Sequence, residues 1–186
     1  MRRIGSIRNW VMVCAMTAAV PCCVVPCFGQ DTGTAGTEKS ASPVKKYKAA
    51  GYVNDFAEII DPKVQLEIDA VCTELQKNGN AQMAIVTVKS LEGMTIKDFS
   101  TELFNKWGVG PKDTNRGVMV LLSVGDRKWR ITTGAGLESV LTEEEAAQLG
   151  GEMVPMLKKG DYGEALLYAA KKIRDKVMKE KIESGK

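Results

Sequence analysis

Almost every side chain in this sequence that could do chemistry is a hard oxygen donor. Glu138 stands just after the turn Gly134-Ala135-Gly136. Asp113, Asn115 and Arg116 lie in the polar stretch 109–116, and Asp55 closes the run Tyr52-Val53-Asn54-Asp55. Carboxylate, amide and backbone carbonyl oxygens suit Ca²⁺ or Mg²⁺. The 186 residues include no histidine. That excludes Ser-His-Asp and Cys-His catalysis, His-ligated zinc and histidine-type acid phosphatase chemistry. Of the five cysteines, Cys14, Cys22, Cys23 and Cys27 belong to the N-terminal segment, which leaves Cys72. Cys72 falls on an apolar helical stripe and is expected to be a core residue, not a nucleophile. Gly134-Ala135-Gly136 lacks the third glycine and the acidic partner of a dinucleotide fingerprint, and no Walker lysine follows it. No organic cofactor is expected.

These groups can meet only if strands bring them together. Residues 118–124 are almost continuously apolar, the pattern of a strand covered on both faces. Gly125-Asp126 is a two-residue break of the hairpin kind. Residues 127–133 then alternate, with Trp129, Ile131 and Thr133 on one side and Lys128, Arg130 and Thr132 on the other. Residues 83–88 read as a further apolar strand. Helices are signalled by Asp61-Pro62, by Thr95 with Asp98, by Thr142 with Glu145 and by Asp161 with Glu164. Asn78-Gly79 is expected to end the first of them.

Strand, helix, strand implies a right-handed parallel crossover between 83–88 and 118–124. The expected fold is α/β, a three-layer sandwich with a small mixed β-sheet and helices on both faces. In that topology the loop 109–116 feeds the start of the central strand, and the second hairpin strand runs back to the same end. Asp113, Asn115, Arg116, Gly134, Gly136 and Glu138 should therefore share one edge, with Glu92, Asp126 and Arg127 at the other. The segment 52–60 is long enough to carry Asp55 to either end. A Ca²⁺ or Mg²⁺ site would use the side chains of Asp113, Asn115 and Glu138, with Asp55 as a fourth donor if its segment reaches this end, backbone oxygens at Gly134 and Gly136, and Arg116 nearby. The competing reading is structural: Glu138 in the first turn of a short helix, Asp55 and Asn115 as turn residues bonding their own backbone. Lys128 and Arg130 are expected to solvate and protect an exposed strand.

The ordered set of these pieces resembles the TPM domain. The resemblance rests on Tyr52-Val53-Asn54-Asp55, residues 83–88, Ser90-Leu91-Glu92-Gly93 and Phe104-Asn105-Lys106-Trp107-Gly108-Val109-Gly110. It continues through residues 115–142 and residues 155–162, spanning roughly 48–178. It implies the α/β fold and favours grouping Asp55 with the glycine turn. Members have been linked to calcium binding, weak acid phosphatase activity, upkeep of membrane protein complexes and receptor modulation, so the resemblance implies a fold more firmly than an activity.

Residues 1–29 read as a signal peptide: Arg2, Arg3 and Arg8, then the apolar run 10–20, then Cys27-Phe28-Gly29. Cleavage is expected after Gly29; the alternative is an uncleaved anchor. Three of the 26 basic residues and none of the 23 acidic ones lie there, so the remainder is formally neutral and offers nucleic acid no basic surface. Residues 30–46 are Gly-, Ser- and Thr-rich and are expected to form a disordered linker. The domain is expected over 47–178, followed by a charged tail at 179–186 with no transmembrane span. The whole is expected to be a periplasmic or secreted, non-catalytic module that binds a divalent cation. The resemblance adds support of a membrane or envelope protein complex as its role. The alternative is a metal-dependent acid phosphatase, with Asp55, Asp113, Asn115 and Glu138 on the metal.

Overall fold

The computed structural model describes residues 42–184, so the expected signal peptide and most of the linker lie outside the described residues. Four strands form one sheet in the order β1 (Val53–Asp55), β2 (Gln82–Val88), β3 (Gly117–Ser123) and β4 (Lys128–Thr133). The first three are parallel, and β4 returns antiparallel to β3. The helices are α1 (Pro62–Gly79), α2 (Ile96–Trp107), α3 (Glu143–Lys159) and α4 (Tyr162–Ser184). This is the expected α/β architecture with a mixed sheet.

The two-residue period of the central strands builds two cores. Met83 and Ile85 of β2, with Val118, Val120 and Leu122 of β3, face one core with α1, α3 and α4. Val86, Val88, Met119 and Leu121 face the other, against Phe99 and Leu103 of α2. A strand with core on both sides is apolar on both, which is why β2 and β3 carry no alternation; their buried Thr87 and Ser123 bond Asp55 and Asp126. On the first face, a Cβ at Gly150 would overlap the Trp129 ring. That glycine lets α3 cross closely over β4. Cys72 is buried in this core, and burial pushes its thiol up to about 12, consistent with a packing role.

Local signals set most helix ends. Asp61 accepts the Lys63 amide at 2.8 Å, with proline at the first position of α1. Thr95 caps α2 through the Asp98 amide at 3.1 Å. Thr142 and Glu145 form a reciprocal capping box on α3. Glu145 is held below the usual carboxylate range first by its bond to Lys176 and then by the Thr142 amide. The first helix ends at Gly79 as expected, with Gly79 buried in its last turn and Asn80 in the left-handed cap at φ 48°.

Three expectations are corrected, and one element, β1, was not foreseen. Strand β1 is an element too short to show a pattern; it is held by pairing with β2 and by the buried Asn54, which bonds the Ala50 amide and the Gly51 carbonyl. Residues 43–46 are not linker. They form a 3-10 turn (Pro43–Lys46) that buries Val44, and the Lys106 ammonium gathers the carbonyls of Val44, Lys45 and Tyr47 at 2.9, 2.8 and 3.0 Å. The charged tail is helical as far as Ser184, because α4 lies along α1 and keeps Val177 buried. The hairpin turn spans four residues between Ser123 and Lys128, with Arg127 left-handed at φ 53°. Among the described residues no helix is long and apolar enough to cross a membrane.

Candidate functional site

The parallel strands give the sheet two unlike ends. At the upper end, where β1, β2 and β3 finish, Asp55 stands opposite Thr87. The glycine turn follows Thr133, which stands opposite Val118 at the start of β3. Asp55 and the glycine turn are therefore at opposite ends, and their expected grouping is wrong. The reason is topological: a parallel strand must finish where its neighbours finish. Asp55 accepts from the Thr87 hydroxyl, from the Ile59 amide at 3.0 Å and from the Ile60 amide at 2.9 Å. These bonds turn the chain from β1 into α1, the structural role that competed with metal ligation.

Asp126 does similar work at this end. It accepts from the Leu91 amide and the Ser123 hydroxyl, both at 2.7 Å, and so ties the hairpin to the loop after β2. The Ser123 hydroxyl first, and the Leu91 amide second, hold its carboxyl below the usual carboxylate range. Glu92 is at this end too, paired with Lys46.

The lower end is built backbone to backbone. The Gly134 amide donates to Gly117 O at 2.8 Å and the Gly136 amide to Asn115 O at 3.2 Å. A Cβ at Gly134 would overlap Asn115 O, and one at Gly136 would overlap Thr114 O. The two glycines therefore permit the contact between the loop and the turn. Asn115 is left-handed at φ 49°, and its amide closes on Pro111 O at 2.8 Å. Asp113 and Asn115 are exposed. Arg116 does not stand open for a phosphate. Its guanidinium meets Glu180 at 2.8 Å and Gly136 O at 3.4 Å, which docks the end of α4 on this edge.

Glu138 caps the short 3-10 turn (Ala135–Leu137) and is exposed. It borders a cleft of about 420 Å³ whose wall includes Arg130, Thr132, Thr133, Thr142 and Glu143. Sequence reading left this cleft out. Its signal was indirect: the last strand of a hairpin that nothing later pairs must be a sheet edge. Arg130, expected on a solvent face, turns to Glu143 at 3.1 Å. Among the described residues no three Asp, Glu or Cys side chains gather as a metal cluster. At the lower end Asp113, Asn115 and Glu138 are exposed.

The TPM domain model matches residues 53–176. No curated protein matches the chain. Among solved structures, the chain is similar to the N-terminal domain of a protein from P. gingivalis, at 23% identity and TM-score 0.66, covering 75% of this chain and 89% of that one. It is also similar to the BA42 protein of Bizionia argentinensis, at 16% identity and TM-score 0.58, covering 66% and 83%. The N-terminal domain of a Corynebacterium glutamicum protein aligns at 15% identity and TM-score 0.56, covering 73% and 84%. These likenesses establish the shared fold.

Proposed function

This chain belongs to the TPM domain family, and from that premise we propose that it is an exported, non-catalytic binding module. It carries a divalent cation, Ca²⁺ before Mg²⁺, at the lower sheet end and supports a membrane or envelope protein complex through its surface. The observation that carries the reading is the unequal use of carboxylates. Asp55 and Asp126 are engaged by backbone amides, whereas Asp113 and Glu138 are exposed beside a rigid backbone seam. Export rests on residues 1–29, and the intact mass of the exported protein should correspond to a chain beginning at Gln30.

The cation is tested by thermal unfolding across a Ca²⁺ titration. A ligand that binds only the native state raises Tm by mass action. Asp113→Asn and Glu138→Gln should each shrink that rise, and a flat Tm in the wild type would sink the cation reading. The phosphatase alternative grouped Asp55 with Asp113, Asn115 and Glu138, and it is less favoured because Asp55 lies at the other end of the sheet from the glycine turn. The purified domain should turn over phosphomonoesters only at a trace rate shared by Asp55→Asn and Glu138→Gln. Turnover of about 1 per second or more that both variants lose would favour the phosphatase reading instead.

A further inference from the structure

Strand β4 ends the sheet, and its outer side meets no strand. Its register tells which groups face outward. The Gly134 amide bonds Gly117 O, and Thr133 stands opposite Val118. Antiparallel pairs alternate between bonded and non-bonded, so Thr132, Arg130 and Lys128 exchange bonds with β3. Trp129, Ile131 and Thr133 then turn their amides and carbonyls away from it. Among the described residues, no hydrogen bond outside the sheet reaches those groups.

The cleft beside Glu138 runs along this edge. Arg130, Ile131, Thr132 and Thr133 all border it. Successive residues of a strand point to opposite faces, so a cleft on a face would touch alternate residues only. Four in a row place it against the edge itself. Its other wall is Glu138, Leu141, Thr142 and Glu143. The Arg130 Nε is buried and without a partner among the described residues. The opposite sheet edge, β1, is only three residues long.

We infer that the β4 edge takes up an extended peptide segment of a partner protein as a fifth strand, with a basic side chain of that segment against Glu138. Backbone pairing supplies affinity in such strand addition, and side-chain pockets supply selectivity. The cleft selects for a basic residue because it holds two carboxylates and one guanidinium. Arg130 is already paired with Glu143, which leaves Glu138 unneutralised among the described residues. Of the usual edge defences β4 has the charged residues Lys128 and Arg130 but no proline, and its six residues pair one for one with β3 without a bulge. The inference names how a partner is recognised by the binding module proposed above; it requires no cation, and a cation held by Glu138 would compete with the basic side chain.

The test uses the chain lacking residues 1–29 and a fluorescein-labelled peptide of alternating Val and Lys, titrated by fluorescence anisotropy in EDTA. Working without Ca²⁺ keeps failure of the cation site separate from failure of this one. Saturable binding is expected. N-methylation of alternate peptide amides should abolish it, because pairing is through the backbone. Replacing Lys by Glu in the peptide, or Glu138→Lys in the protein, should weaken it about tenfold or more. Thr133→Pro removes one outward amide and should weaken it too; if that variant fails to fold, the N-methylated peptide on wild-type protein answers the same question. No saturation up to about 1 mM overturns the inference, as does undiminished binding by both N-methylated registers. Concentration-dependent dimerisation that Thr133→Pro prevents, with no peptide bound, assigns the edge to a second copy and overturns it as well.

Discussion

The two ends of the sheet use the same residue types for opposite purposes. At the upper end Asp55 and Asp126 accept backbone amides and hydroxyls, and the chain turns around them. At the lower end the turn is held by main-chain contact between residues 114–117 and 134–136, and the carboxylates of Asp113 and Glu138 are left exposed. The difference follows from what each loop must do. After β1 the chain reverses into α1 through residues whose amides have no strand partner, and a carboxylate can satisfy two at once. At the lower end glycine lets backbone meet backbone, so no side chain is needed to close the gap. Carboxylates at a sheet end therefore point to a ligand only after their amide partners have been counted.

The sharpest way to break this contrast is Asp55→Ala. It strands the Ile59 and Ile60 amides and the Thr87 hydroxyl and should cost about 3 kcal/mol in urea unfolding. A loss below about 0.5 kcal/mol would place Asp55 with the dispensable surface carboxylates. Next comes Gly136→Ala, which drives a methyl into Thr114 O and should cost about 2 kcal/mol. An unchanged midpoint would mean the lower seam is loose. Glu180→Gln removes the charge partner of Arg116 at a partly exposed site and should cost about 0.5–1 kcal/mol, less at high salt.

Acid unfolding sharpens the comparison through its sign. Asp126 and Glu145 have folded values below their unfolded ones. Their contribution is present above the ordinary carboxylate range and is lost as pH falls through the lowered folded values. Asp126→Asn should therefore lower stability at neutral pH and flatten the further loss on acidification. An acid limb identical to wild type would remove Asp126 from the upper-end framework. The smallest effects belong to Asp113→Asn and Glu138→Gln. Each should change stability in EDTA by less than about 0.5 kcal/mol while reducing the Ca²⁺-dependent rise in Tm. A large loss in EDTA would make those residues structural and erase the contrast.

Much of this was legible from short-range patterns. The unbroken apolar runs of β2 and β3 announced strands covered twice, and the caps at Asp61, Thr95 and Thr142 located helix starts, because both signals are local. The convergence of loop 109–116 with the glycine turn was also readable, since it needs only strand direction. Asp55 was misplaced because β1 is three residues long and its partner lies some thirty residues away in β2. The docked turn at Pro43–Lys46 was missed because one valine and a distant lysine hold it, not a periodic stripe.

The sequence by itself determined the fold class, both faces of the central strands, the helix caps at Asp61, Thr95 and Thr142 and the inventory of chemistry, since the absence of histidine and the location of the cysteines need no coordinates. Only the tertiary structure decided which carboxylates are engaged, which are exposed and where Arg116 goes. Periodicity is a property of neighbours along the chain, whereas a hydrogen-bond partner for Asp55 or Arg116 is supplied by residues that only folding brings near.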